Sequence, residues 1–307
     1  MKISTSYLFD RATDRMSALQ SRLATTQAQL SASKQILSPS DAPDKAAAID
    51  RLRGELARQG GHSGVLKVAL NRFAAEETAL RASTDVITRI KELAIQAAND
   101  TLSPSDRKVI ATELREMRNQ LVSLGNTRDD SGNYVFSGTR VETQAFAFDS
   151  EGAVVYQGDQ TLTRIPAGVE RTVLYTRSGT DVFRRVVRED DAGDRVSIGF
   201  FDSLEDLISA ADDNELANIR RSVGEADQML NNVSQAVAQC GSDQQVVQSQ
   251  LDVLNQTTLR LKTTLSGIED LDYTEAVARV NKEMTALQAA MASFGKIASL
   301  SLFDHLR

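Results

Sequence analysis

Apolar side chains recur along this chain at alternating intervals of three and four residues. The clearest run is Leu216, Ile219, Val223, Ala226, Leu230, Val233, Val237, Cys240, Gln244, Val247, Leu251, Leu254, Thr258, Leu261, Leu265 and Ile268. Such spacing places one stripe along a helix that packs lengthwise on a neighbour. It predicts a single helix over about 212–268, roughly 85 Å long at about 1.5 Å per residue. After a break at Leu271-Asp272 a second stripe follows: Val277, Val280, Met284, Leu287, Met291 and Phe294. The first half answers with Leu66, Leu70, Phe73, Leu80, Ile87, Ile90, Ala94 and Ala97. Ile110, Leu114, Met117, Leu121 and Leu124 come next, and a weaker stripe (Leu8, Ala12, Met16, Leu19, Leu23) lies at the start.

The pattern changes between Tyr134 and Phe201. Most of the phenylalanines and tyrosines fall there, with short runs such as Tyr134-Val135-Phe136, Val154-Val155-Tyr156, Thr172-Val173-Leu174-Tyr175 and Val196-Ser197-Ile198. Turn residues separate the runs, as in Ser150-Glu151-Gly152 and Gln157-Gly158-Asp159. This predicts hairpins. The expected fold is therefore mainly α: a long antiparallel, coiled-coil-like bundle built from both flanks, with a small central β-rich domain. The expected division is 1–40 with 272–307 as terminal helices, 41–133 with 203–271 as a helical rod, and 134–202 as an inserted β module.

Helix starts are legible as well. Leu-Ser-Pro-Ser-Asp occurs at 37–41 and again at 102–106. In the second copy Ser103 suits the N-cap, Pro104 the first helical position and Asp106 the capping-box acid. In the first, Ser38 with Asp41, or Asp41 with Asp44, could serve the same purpose. Gly60-Gly61-His62-Ser63-Gly64 predicts a break or kink in the helix around it.

Composition narrows the chemistry. The chain has 307 residues, a net charge of −7, one Cys and two His. One Cys excludes an internal disulfide framework and a Cys-cluster zinc site. An acidic balance gives no basic footprint for nucleic acid. No apolar run is long enough to span a membrane, and the N-terminal segment lacks the hydrophobic region of a cleaved signal. Cys240 lies on the helical seam and reads as a core thiol. Glu76-Glu77 and Asp212-Asp213 are adjacent, so on a helix they point about 100° apart and share no acid–base site. Asp190-Asp191-Ala192-Gly193-Asp194 has a faint likeness to a calcium loop but lacks the ligand spacing and the closing Glu. No catalytic, cofactor-binding or metal-ligating set is expected, and no cofactor.

Physics thus leaves a polymer subunit or an interaction rod. The C-terminal stripe and the N-terminal stripe can pair, and Ala286, Ala289 and Ala290 would let neighbouring subunits approach closely. The candidate assembly residues are Leu8, Leu19, Leu23, Val277, Val280, Met284, Leu287, Met291, Phe294, Leu300, Leu302 and Phe303.

Several segments carry a resemblance. MKIST at 1–5, LSPSDAPDKAAAI at 37–49, NDTLSPSDR at 99–107, GNYVFSG at 132–138 and LSLFDHL at 300–306 resemble the hook–filament junction proteins of bacterial flagella, hook-associated members of the flagellin family. The resemblance spans both helical flanks, while the central insert matches only in character. It implies a flagellin-like fold whose terminal helices pair in an inner tube, and a structural role at the junction between hook and filament. It implies an extracellular place in the flagellum, reached by type III export without a cleaved signal. The implied partners are further copies of the chain in a ring or helical layer, the first hook-associated protein, flagellin, and a cytoplasmic export chaperone on the C-terminal helix. Neither nucleic acid nor membrane insertion is implied. Flagellin itself, and a non-flagellar coiled-coil signalling rod, remain alternatives.

Overall fold

The computed structural model describes the backbone of residues 2–166, 172–189 and 194–305, with side chains apart from 2–6, 8 and 297–305. Three helices dominate: α2 (Pro43–Ala97), α6 (Leu216–Glu269) and α7 (Tyr273–His305). The shorter ones are α1 (Lys2–Ala32), α3 (Pro104–Gly125), α4 (Gly179–Val182) and α5 (Phe200–Asp212). Two compact units form, Met1–Gln59 with Gln256–Arg307, and Gly60–Asn255. The divisions fall inside α2, between 59 and 60, and inside α6, between 255 and 256.

Cap chemistry fixes the ends. Ser103 accepts from the Asp106 amide and Asp106 reaches back to the Ser103 amide, a complete capping box with Pro104 following. In the first copy the Leu37 and Ser38 amides donate to Asp41, but this closes a turn and α2 starts two residues later at Pro43. Buried Arg107 donates to the carbonyl of Ala97, the last residue of α2, at 2.8 Å and to that of Asn99 just beyond it at 2.6 Å. The long C-terminal helix begins at Leu216 and not near 212, because Asn214 adopts a left-handed turn (φ 63°) after α5. Through Gly60–Gly64, where a break or kink was expected, α2 is continuous. Glycine lowers helix propensity without forbidding the conformation.

The larger unit is built on the predicted seam. Cys240 and Gln244 of α6 contact the Phe73 carbonyl of α2 at 3.4 and 3.1 Å, and Lys91 pairs with Asp227 further along, so the two helices run antiparallel. Ile219, Ala226, Val233, Cys240, Val247, Leu251 and Leu254 are buried there. Burial pushes the Cys240 thiol up to about 12, which keeps it neutral and unreactive. Helices α3 and α5 pack antiparallel through Arg115–Asp212 and Arg118–Glu205 ion pairs.

Among the described residues the central segment forms three separate antiparallel pairs: β1 (Phe146–Phe148) with β2 (Val154–Tyr156), β3 (Arg164–Pro166) with β4 (Thr172–Leu174), and β5 (Val186–Glu189) with β6 (Arg195–Ile198). The predicted turn at Ser150-Glu151-Gly152 closes the first, with Gly152 at φ +85° and Asp149 accepting from Glu151 and Ala153. The Tyr134-Val135-Phe136 run is no regular strand. Nor do the hairpins make a core of their own. Phe146 stacks edge-on against Phe183 and Phe201 at 5.3 and 5.1 Å, so rings from the insert and from α5 fill one space. Gly125 at the end of α3 is required there, since a Cβ would sit 2.7 Å from the Phe146 ring.

Three arginines tie this segment to the long helices. Arg72 of α2, 1% exposed, pairs with Asp129 at 3.0 Å and donates to the carbonyls of Tyr134 and Val135. Those carbonyls are occupied this way instead of in a ladder. Arg177 bridges buried Glu76 of α2 and Asp243 of α6. Arg188 of β5 makes a two-pronged contact with buried Glu225 of α6 at 2.6 and 2.8 Å and reaches Asp206 of α5. Burial alone would raise the Glu225 carboxyl, but hydrogen bonds from Arg188 and Ser203 bring it below its ordinary value. Arg177→Ala would strand Glu76 unpaired in a dry site. We expect a loss of about 3–5 kcal/mol in denaturant unfolding, whereas Glu76→Leu with Arg177→Met should cost far less.

Candidate functional site

The terminal helices bring the two ends of the chain together. α1 and α7 run antiparallel: the rings of Phe9 and Phe294 lie 4.7 Å apart, Thr26 donates to Glu283 at 3.0 Å, and Ser33 meets Tyr273. On α1 the facing stripe is Ala12, Met16, Leu19, Leu23, Thr26 and Leu30, all partly or fully buried. On α7 it is Ala276, Val280, Glu283, Leu287, Ala290 and Phe294.

The candidate residues therefore separate into two sets. Leu19, Leu23, Val280, Leu287 and Phe294 come together between the helices. Val277, Met284 and Met291 do not: they are 48, 42 and 55% exposed. Each lies three residues before a facing residue, about 60° round the helix from it. Ala290 belongs to the facing stripe, while Ala286 and Ala289 are exposed. The sequence favoured the larger apolar side chains as the seam. Ala276 and Ala290 occupy the facing positions because small side chains allow two helices to approach closely. Leu8, Leu300, Leu302 and Phe303 lie outside the residues whose side chains are described. On α1, Tyr7 is 61% exposed and Phe9 is partly open beside Phe294.

A clasp closes one end of the pair. Glu269, at the end of α6, is buried and holds Lys34 and Arg53, the latter at 2.6 Å. The Gln35 amide donates to the Glu269 carbonyl at 2.8 Å, and the Leu271 amide to Ser33 at 3.2 Å. The side chain of Gln35 reaches the Ile268 carbonyl at 2.7 Å. No periodicity announces this clasp. An acid at the end of a long seam and two bases far away in sequence gave the only signal.

Among the described residues no group of His, Cys, Asp and Glu could hold a metal ion. No helix among them is long and apolar enough to cross a membrane.

Burial alone would push the Glu269 carboxyl up, but Lys34 and Arg53 hold it below the usual carboxylate value. A carboxyl lowered on folding stabilises the fold above about pH 4.3, and that contribution is lost as pH falls through its folded value. The amides of Gln35 and Leu271 should therefore lose hydrogen-exchange protection on acidification below about pH 4. Glu269→Gln should lower their protection at pH 7 and remove the acid dependence.

Comparison with known proteins gives these helices a context. The model of the bacterial flagellin N-terminal helical region matches residues 3–141, and that of the C-terminal helical region matches residues 223–306. Flagellar hook-associated protein 3 of Salmonella typhimurium is 27% identical, over 99% of both chains. Flagellin FlaB2 of Treponema pallidum is 24% identical, over 75% of this chain and 73% of its own. In fold, the chain is similar to crystalline FlgL of Xanthomonas campestris, with a TM-score of 0.62 and 22% identity over 71% of this chain and 99% of that one.

Proposed function

Because this chain belongs to the flagellin family, in its hook-associated branch, we propose that it is a structural subunit at the junction between flagellar hook and filament, assembled through α1 and α7. The observation that carries this reading is the match to a hook-associated protein over 99% of both chains, where flagellins FlaB2 and FlaB1 of Treponema pallidum cover 75 and 85% of this chain. Flagellin, the first alternative, is disfavoured on that ground. The signalling rod is disfavoured by the matches to both flagellin helical regions.

The subunit works with hook and filament components in the flagellum. The finer partners are further copies of the chain, the first hook-associated protein and flagellin, with an export chaperone on α7 before assembly. Type III export would deliver the chain outside the cell without a cleaved signal. One side of α7 is spent on α1. The flank beside that face presents Val277, Met284 and Met291 in a line seven residues apart, an apolar edge that water disfavours. Packing against a neighbouring subunit would cover it, so that assembly and burial are the same event.

Cells lacking this chain should carry hooks without filaments and shed flagellin into the medium; normal filaments would overturn the proposal. In such cells, Met284→Asp with Met291→Asp should leave monomer helicity and unfolding unchanged yet fail to restore filaments, because a charge is costly to bury unpaired. Leu287→Asp should fail differently, by separating α7 from α1 in the free monomer.

A further inference from the structure

The helix α2 is buried at Ile49 and again at Leu66, but no residue between them is. Leu52, Leu56 and Gln59 are only partly covered. Four glycines, Gly54, Gly60, Gly61 and Gly64, lie within this same stretch. A glycine in a helix is usually explained by a close neighbour. Here a Cβ built at any of the four meets no atom within 4 Å. Packing in the chain therefore gives no reason for them, while each lowers the local preference for helix. The amide oxygen of Gln59, in the middle of the stretch, is buried without a hydrogen-bond partner, which weakens it further. The helix α6 shows the same thinning, with no buried residue from 255 to 268. Thr257, Thr258, Thr263 and Thr264 occur in it, and β-branched side chains are weaker helix formers.

We infer that α2 opens locally between Ile49 and Leu66 while the helix on either side stays folded: a yielding segment built into a continuous helix. Local opening needs little buried surface to be given up and a backbone that gains much freedom. This stretch supplies both. In a subunit packed among others, such a segment takes up strain that would otherwise fall on a buried core. No partner is required for the opening itself, so it is a property of the free chain, independent of the junction role.

Hydrogen exchange of the full chain tests this. Amides from 50 to 65 should exchange at least about tenfold faster than those from 70 to 95. Replacing Gly60, Gly61 and Gly64 together by Ala should slow exchange in the stretch, by roughly fivefold for each glycine. Gly241→Ala is the control: Gly241 is equally free of neighbours but lies beside buried Cys240, and it should leave 50–65 unchanged. Protection of 50–65 equal to that of 70–95 would overturn the inference. So would a triple variant whose stretch exchanges as fast as before.

Discussion

A charge taken out of water must find its opposite, and the larger unit of this chain is arranged around that requirement. Arg72, Arg177 and Arg188 each leave one part of the chain and end on a carboxylate in another. The carboxylates of Glu76 and Glu225 are almost fully buried; Glu76 is held by Arg177, and Glu225 by Arg188 together with Arg221. Apolar packing would tolerate the hairpins in several positions. Paired charges tolerate one, because a displaced guanidinium leaves two unmatched groups. The irregular path at Tyr134 and Val135 follows from the same demand, since their carbonyls are spent on Arg72.

Much of this architecture can be read from the residues. The α6 seam is read correctly at Ile219, Ala226, Val233, Cys240, Val247, Leu251 and Leu254, which are buried, whereas Thr258, Leu261, Leu265 and Ile268 are only partly covered and buried Met229 and Ala236 lie off the predicted line. The capping box at Ser103 is equally legible, since its chemistry is local. The insert was harder. Its turns were visible, but the rings of Phe146, Phe183 and Phe201 meet across long sequence distances, and nothing local says that they share a core with α5. Gly60–Gly64 misled for another reason: low propensity is a cost in free energy, and a helix anchored on both sides can bear it.

The candidate assembly surface was half legible. Periodicity identified α7 as amphipathic but not which of two neighbouring lines meets α1. Val277, Met284 and Met291 are the more apolar line, and they remain open. Ala276, Glu283 and Ala290 are the less conspicuous line, and they face inward. What decides is closeness of approach. Glu283 is acceptable there because Thr26 gives it a hydrogen bond, a pairing that no one-dimensional pattern contains.

The contact between Thr26 and Glu283 joins residues 257 positions apart. Closing so large a loop in an open chain carries an entropic penalty of about 5 kcal/mol beyond the constant part. The hairpin of α2 and α3, pinned by Arg89 and Glu113 only 24 positions apart, closes at much lower cost. On loop entropy alone the local pair is the easier to close first, and a folded middle shortens the path that α1 and α7 must close. By the same length argument, α1 and α7 are the pair whose parting returns the most freedom to the chain.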